Sequence, residues 1–128
     1  MNIKDCIEYF KSDDVVETFN TLYGKKESIV VSQKKRYIRA IQSFCDYFPD
    51  REEIHIFSAP GRTEIGGNHT DHQKGAVLAG AVDLDAIAVV AFHGEKVVRV
   101  KSEGYMISEI KLDHLQPDKA DEGTTALT

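Results

Sequence analysis

Ile54-His55-Ile56-Phe57 and, further along, Ala86-Ile87-Ala88-Val89-Val90-Ala91-Phe92 decide how this chain folds. The first stretch alternates like a strand entering a loop at Pro60-Gly61. The second is a continuous apolar run of strand length, the pattern of a strand buried on both faces. Beyond it, His93-Gly94-Glu95-Lys96 turns the chain, and residues 97–101 place Val98 and Val100 on one side and Arg99 and Lys101 on the other. Glu103-Gly104 turns it again. Met106, Ile110 and Leu112 then alternate with Ile107, Glu109 and Lys111, which predicts an antiparallel meander. Residues 116–128 are polar and acidic with no strong period.

Ahead of residue 50 the period is helical. Ser12-Asp13-Asp14 offers N-cap oxygens to a helix with Val15, Val16, Phe19 and Leu22 on one face and Gly24 as its stop. Ser32 is positioned to cap the next helix. Tyr37, Ile38, Ile41, Phe44, Cys45 and Phe48 form its apolar stripe, and Pro49 ends it. Lys34, Lys35, Arg36 and Arg39 fill its other positions and read as a solvated face. Helices followed by strands predict an α+β fold.

The whole chain has 128 residues, 41% hydrophobic and 29% charged. That is one domain's worth of chain with a globular composition, able to bury roughly two-thirds of its unfolded surface. Sixteen Lys and Arg against 21 Asp and Glu leave a net charge of −5. An acidic balance argues against nucleic-acid and anionic-membrane partners, which need basic surface. No apolar run approaches the roughly 20 residues that span a bilayer, and the N-terminus lacks a signal-peptide core. A cytoplasmic location is the expectation. Cys6 and Cys45, in helical segments without surrounding Cys/His clusters, read as reduced core thiols.

The chemistry is concentrated in Gly61-Arg62-Thr63-Glu64-Ile65-Gly66-Gly67-Asn68-His69-Thr70-Asp71-His72-Gln73-Lys74-Gly75. Five of the nine glycines fall between Gly61 and Gly80, interleaved with an arginine, a lysine, two carboxylates, two histidines and an asparagine. A polar surface loop is the plain reading. A phosphate loop fits the Gly61-to-Gly66 spacing, but Gly67-Asn68 stands where Lys and Ser/Thr are required. A metal site could use His69, Asp71 and His72, with no further pair to complete the shell. A polyol site could use Asn68, His69 and Asp71, whose donors and acceptors match a ring of hydroxyls. Composition does not separate the last two.

Ala59-Pro60-Gly61-Arg62, then Gly67-Asn68-His69-Thr70-Asp71, then Gly75-Ala76-Val77-Leu78 resemble the galactokinase signature of the GHMP small-molecule kinases. That signature usually reads A-P-G-R-V-N-L-I-G-E-H-T-D-Y-N-G-G, and the chain aligns to it without a gap. The resemblance extends from about residue 51 to the end. It implies an α+β fold, N-terminal helices plus a mixed or antiparallel sheet of four or five strands, like the first half of the GHMP N-terminal domain (ribosomal protein S5 domain 2-like). Residues 1–50 would be a helical extension and 51–128 a partial kinase domain. Arg62 would stand beside the attacking sugar hydroxyl and stabilise phosphoryl charge. Asn68, His69, Thr70 and Asp71 would bind the sugar, and Gly67 would let the turn form.

Departures are concentrated around the sugar tetrapeptide. Asn68 replaces Glu, His72 replaces Tyr, Glu64 replaces Asn and Gly66 replaces an apolar residue. The sugar is therefore galactose, a related hexose, an N-acetylated hexosamine or a uronic acid. The family's Gly- and Ser-rich ATP loop at a helix N-terminus, and the catalytic aspartate beyond it, have no counterpart here. ATP and Mg2+ thus belong to the full-length enzyme, an alcohol-accepting phosphotransferase, and no residue identified here binds them. The expectation is a sugar-binding front portion of a longer kinase, inactive alone. The other reading is a non-catalytic sugar-binding or regulatory module. Without further helices, one sheet face around residues 86–92 would be uncovered and invite self-association.

Overall fold

A computed structural model describes residues 1–67 and 74–113. The chain forms two compact units, residues 1–92 and 93–128. The first holds α1 (Ile3–Lys11), α2 (Val16–Tyr23), α3 (Glu27–Tyr47), β1 (His55–Gly66) and β2 (Leu78–Val90). The described part of the second holds β3 (Val97–Val100) and β4 (Ser108–Lys111). The α+β class expected from the sequence is the one observed.

Apolar spacing explains each helix. In α1, Cys6 and Phe10 are buried at a four-residue step, with Ile3 and Ile7 packed beside them. The Asn2 side chain accepts from the Lys4 amide and caps the helix. Ser12 ends α1 and accepts from the Asp14 amide instead of capping α2, which starts at Val16 without a side-chain cap. Tyr23 takes the buried position expected of Leu22, which is exposed. α3 begins at Glu27, ahead of the cap expected at Ser32, because Val30 already belongs to the buried stripe with Tyr37 and Ile41. It ends at Tyr47, just before Pro49, as expected.

These helices and one face of the β1–β2 hairpin share a single core. Phe19, Ile41, Ile54 and Val15 are its largest fully buried side chains, each worth about 1.5–3 kcal/mol of burial. Phe10, Phe19 and Tyr37 pack ring against ring, with centroids 4.9–5.9 Å apart. Burial pushes the Cys6 and Cys45 thiols up, which keeps both protonated, and both are free. The start of the chain is tied to the approach to β1: Ile3 N donates to Glu52 O at 3.0 Å and Ile54 N to Met1 O at 3.0 Å.

The strands differ from the sequence reading in three respects. β1 does not stop at Pro60 but runs on to Gly66, because a two-stranded sheet leaves an edge where a missing proline donor costs no ladder bond. β2 is not buried on both faces. Its exposure alternates, with Ile87 and Val89 against the core while Val90 and Leu84 are exposed. Helices cover only one side, so Phe57 (59% exposed) and Phe92 (81%) stand on the open one. Finally, the described strands make two separate antiparallel pairs, β1–β2 and β3–β4, instead of one sheet of four or five.

In the second unit, Arg99 lies opposite Glu109 and donates to it at 2.8 Å while reaching Glu95 at 2.7 Å. Leu112 N closes the ladder onto Lys96 O. Among the described residues of this unit, Ile110 is the buried one.

Candidate functional site

The β1–β2 hairpin carries the chemistry-bearing stretch. From His55↔Val90 to Pro60↔Asp85 its register is regular. It then breaks: Arg62 pairs with Ala81, so Gly61 alone stands opposite Val82, Asp83 and Leu84. A Cβ on Gly61 would lie 3.1 Å from Leu84 O and from a Val82 methyl carbon, so only glycine fits there without displacement. Such irregularities bend a strand and re-aim the side chains beyond them. Thr63 and Glu64 pair regularly with Gly80 and Ala79, and a second irregularity precedes Gly66↔Leu78.

Arg62 lies just past the first break, exposed on β1. Gly67, at the strand's end, has φ +104, and a Cβ there would fall 2.6 Å from Ala76 O and 2.7 Å from Val77 Cα. Both its conformation and its surroundings demand glycine. Lys74, in the turn ahead of β2, has φ 63. Asn68, His69, Thr70 and Asp71, the expected sugar-binding residues, lie outside the described residues, as does His72. The metal reading falls there too. Residues 61–66 are strand, not a loop opening a helix, so the phosphate-loop reading fails on structure as well as on composition.

Sequence reasoning missed Asp85. Its side chain is 4% exposed and directly opposite Pro60. Arg36 of α3 donates to Asp85 Oδ1 at 2.5 Å and to its carbonyl oxygen at 2.8 Å. Tyr23 of α2 donates to Oδ2 at 2.6 Å, Ser58 of β1 at 2.5 Å, and the Tyr23 and Tyr37 hydroxyls bond at 2.7 Å. Two helices and both strands thus converge on one carboxylate. Arg36 is therefore no part of a solvated basic face, whereas Lys35 and Arg39 are exposed as expected. The available signal was parity: Asp85 falls on the same face as the core-packed Ile87 and Val89, where a carboxylate needs partners.

Burial opposes charge on Asp85, but bonds from Ser58, Tyr23 and Arg36, with the Arg36 charge, outweigh it and hold the carboxyl below its usual value. The same burial and the bond to Asp85 push Tyr23 up. A carboxyl lowered in the folded state stabilises above the unfolded value of about 3.9, and that contribution is lost as pH falls through the folded value. Denaturation midpoints should therefore drop between pH 6 and pH 3 by more in the native chain than in Asp85→Asn. An equal drop in both would remove Asp85 from the acid response.

A shallow cleft lined by Asp50, Arg51, Glu52, Glu53, His55 and Phe92 lies at the opposite end of the hairpin from Gly67. It is not part of this site.

Residues 42–92 match the galactokinase galactose-binding signature. The chain is 33% identical over 82 residues to a galactokinase of Bacillus subtilis, covering 62% of this chain and 21% of that protein. It is 34% identical over 85 residues to a galactokinase of Fusobacterium nucleatum, covering 64% and 22%. A Dictyostelium discoideum galactokinase is 32% identical over 79 residues, 62% of this chain and 15% of that protein. The chain thus spans about a fifth of the length of the curated relatives it matches. No solved structure matches it significantly. Among the described residues no helix is long and apolar enough to cross a membrane. From the last turns of α3 through the β1–β2 hairpin, this chain carries the galactose-binding signature of the galactokinase family.

Proposed function

We propose that the chain is the sugar-binding portion of a galactokinase-like kinase of the GHMP type. Asn68, His69, Thr70 and Asp71 would hold the hydroxyls of galactose or a close relative, and Arg62 would face the hydroxyl that accepts the phosphoryl group. The signature match over residues 42–92 carries this reading. It is supported by Gly67, whose backbone admits no side chain at the entrance to the tetrapeptide. A fixed guanidinium beside developing phosphoryl charge is the electrostatic arrangement such a transfer needs. ATP and Mg2+ would be held by parts of the kinase that these residues do not supply.

The chain alone is expected to bind galactose without phosphorylating it. Titration followed by heat or amide shifts should show saturable galactose binding, weakened by about 10- to 100-fold in Asp71→Ala, the loss of one charged hydrogen bond. No saturation with galactose, or MgATP-dependent formation of a sugar phosphate by the 128 residues, would overturn the reading. The neutral Asn68 in place of Glu favours a second reading, a sugar-sensing module without turnover. A downstream sequence encoding an ATP loop and a base aspartate would remove it.

A further inference from the structure

We infer that the Arg36–Asp85–Ser58–Tyr23 cluster is a positioning device for the sugar site, fixing the direction in which the distal half of the hairpin leaves the helices. The proposal rests on the sugar-site reading, but its mechanical half stands independently. Asp85 sits at the last register pair before the first irregularity, Pro60↔Asp85, and the ladder breaks on its far side. Everything proposed to touch sugar, from Arg62 to Asp71, lies beyond that break. The hairpin's proximal half is packed on the core through Ile56, Ile87 and Val89. None of the distal half is in that core: of its described residues 61–67 and 74–84, Gly80 and Val82 are half-buried and the rest are exposed. Its orientation is therefore inherited from the last point at which both strands are held.

Asp85 supplies that hold from both sides. Ser58 ties the β1 backbone to it at 2.5 Å, and Arg36 grips its carboxylate and its carbonyl at once, fixing the β2 backbone itself against α3. Tyr23, its hydroxyl also bonded to that of Tyr37, holds the carboxylate from the helix side. A two-point guanidinium contact constrains angle as well as distance. Arg36 and Asp85 would act on sugar only through the strand between them and Arg62, so they are positioning residues.

The test is backbone amide hydrogen exchange of the full chain, native against Asp85→Asn and Tyr23→Phe, the milder change guarding against failure to fold. Val30→Ala serves as a destabilising control in the same core but outside the cluster. Exchange at the amides of residues 62–66 and 78–81 should speed up at least 10-fold more than at the α3 amides in the cluster variants. It should speed up uniformly in Val30→Ala. Galactose affinity should fall at least 10-fold in Asp85→Asn and little in Val30→Ala under conditions where both are folded. Uniform exchange in the cluster variants, or unchanged galactose affinity in Asp85→Asn, would overturn the inference. If the native chain binds no galactose, the proposed function fails, and the exchange pattern alone decides the positioning claim.

Discussion

Phe19→Ala is expected to unfold a large fraction of the chain, with a loss of about 3–5 kcal/mol. Phe19 is 1% exposed and stacks on Phe10 at 5.9 Å while tilting against Tyr37 at 5.0 Å and Tyr23 at 5.7 Å. It is the centre at which α1, α2 and α3 meet, and truncation leaves a cavity that three rings bordering it can only partly fill. Against a total of about 5–15 kcal/mol for an ordinary domain, that loss is decisive. Urea titration followed by far-ultraviolet circular dichroism measures it, with Phe19→Leu losing about half as much. A Phe19→Ala midpoint close to the native one would mean that the ring cluster is not the core of residues 1–92.

Gly67→Ala is expected to abolish galactose binding while leaving the helices intact. At φ +104 a non-glycine residue carries roughly 1–3 kcal/mol of strain. The added Cβ would also meet Ala76 O at 2.6 Å and Val77 Cα at 2.7 Å, backbone atoms that no rotamer change can move. The relief is displacement of the backbone at the entrance to the tetrapeptide, and a shift near 1 Å at a binding site costs about 100-fold. Gly66→Ala is the matched control, since its Cβ would meet nothing within 4 Å. A titration in which Gly67→Ala and Gly66→Ala bind galactose equally well would show that this turn does not set the site.

The apolar stripe of α3, its end just before Pro49 and the alternation in residues 54–57 were legible because each is a local pattern with one period. Helix starts were less so. Ser12 and Ser32 have the right chemistry for caps, but Val15 and Val30 are pulled into the core, and burial of those residues outweighs the roughly 1 kcal/mol a cap contributes. The run at residues 86–92 misled for a related reason. An apolar stretch records what a strand tolerates on each face, not whether a covering layer is present, and here helices cover only one. Turn residues at 93–96 do not name a partner strand, and β3 pairs with β4 instead of β2.

What the sequence by itself determined is the match to the galactose-binding signature, and Arg62 and the tetrapeptide from Asn68 to Asp71 are proposed as sugar-side residues on that resemblance. Gly67 belongs to the same pattern, and its φ of +104 is the conformation that only glycine adopts freely. What only the tertiary structure decided is how the β1–β2 hairpin is held against the helices. Arg36 lies 49 residues from Asp85, and Tyr23 lies 62 from it, so no local period links them. A buried carboxylate selects its partners by position in space, because an unpaired charge in the core costs more than any helical or strand propensity can return. One of the four basic residues on α3 became a structural anchor for this reason, while its neighbours Lys35 and Arg39 remained at the surface.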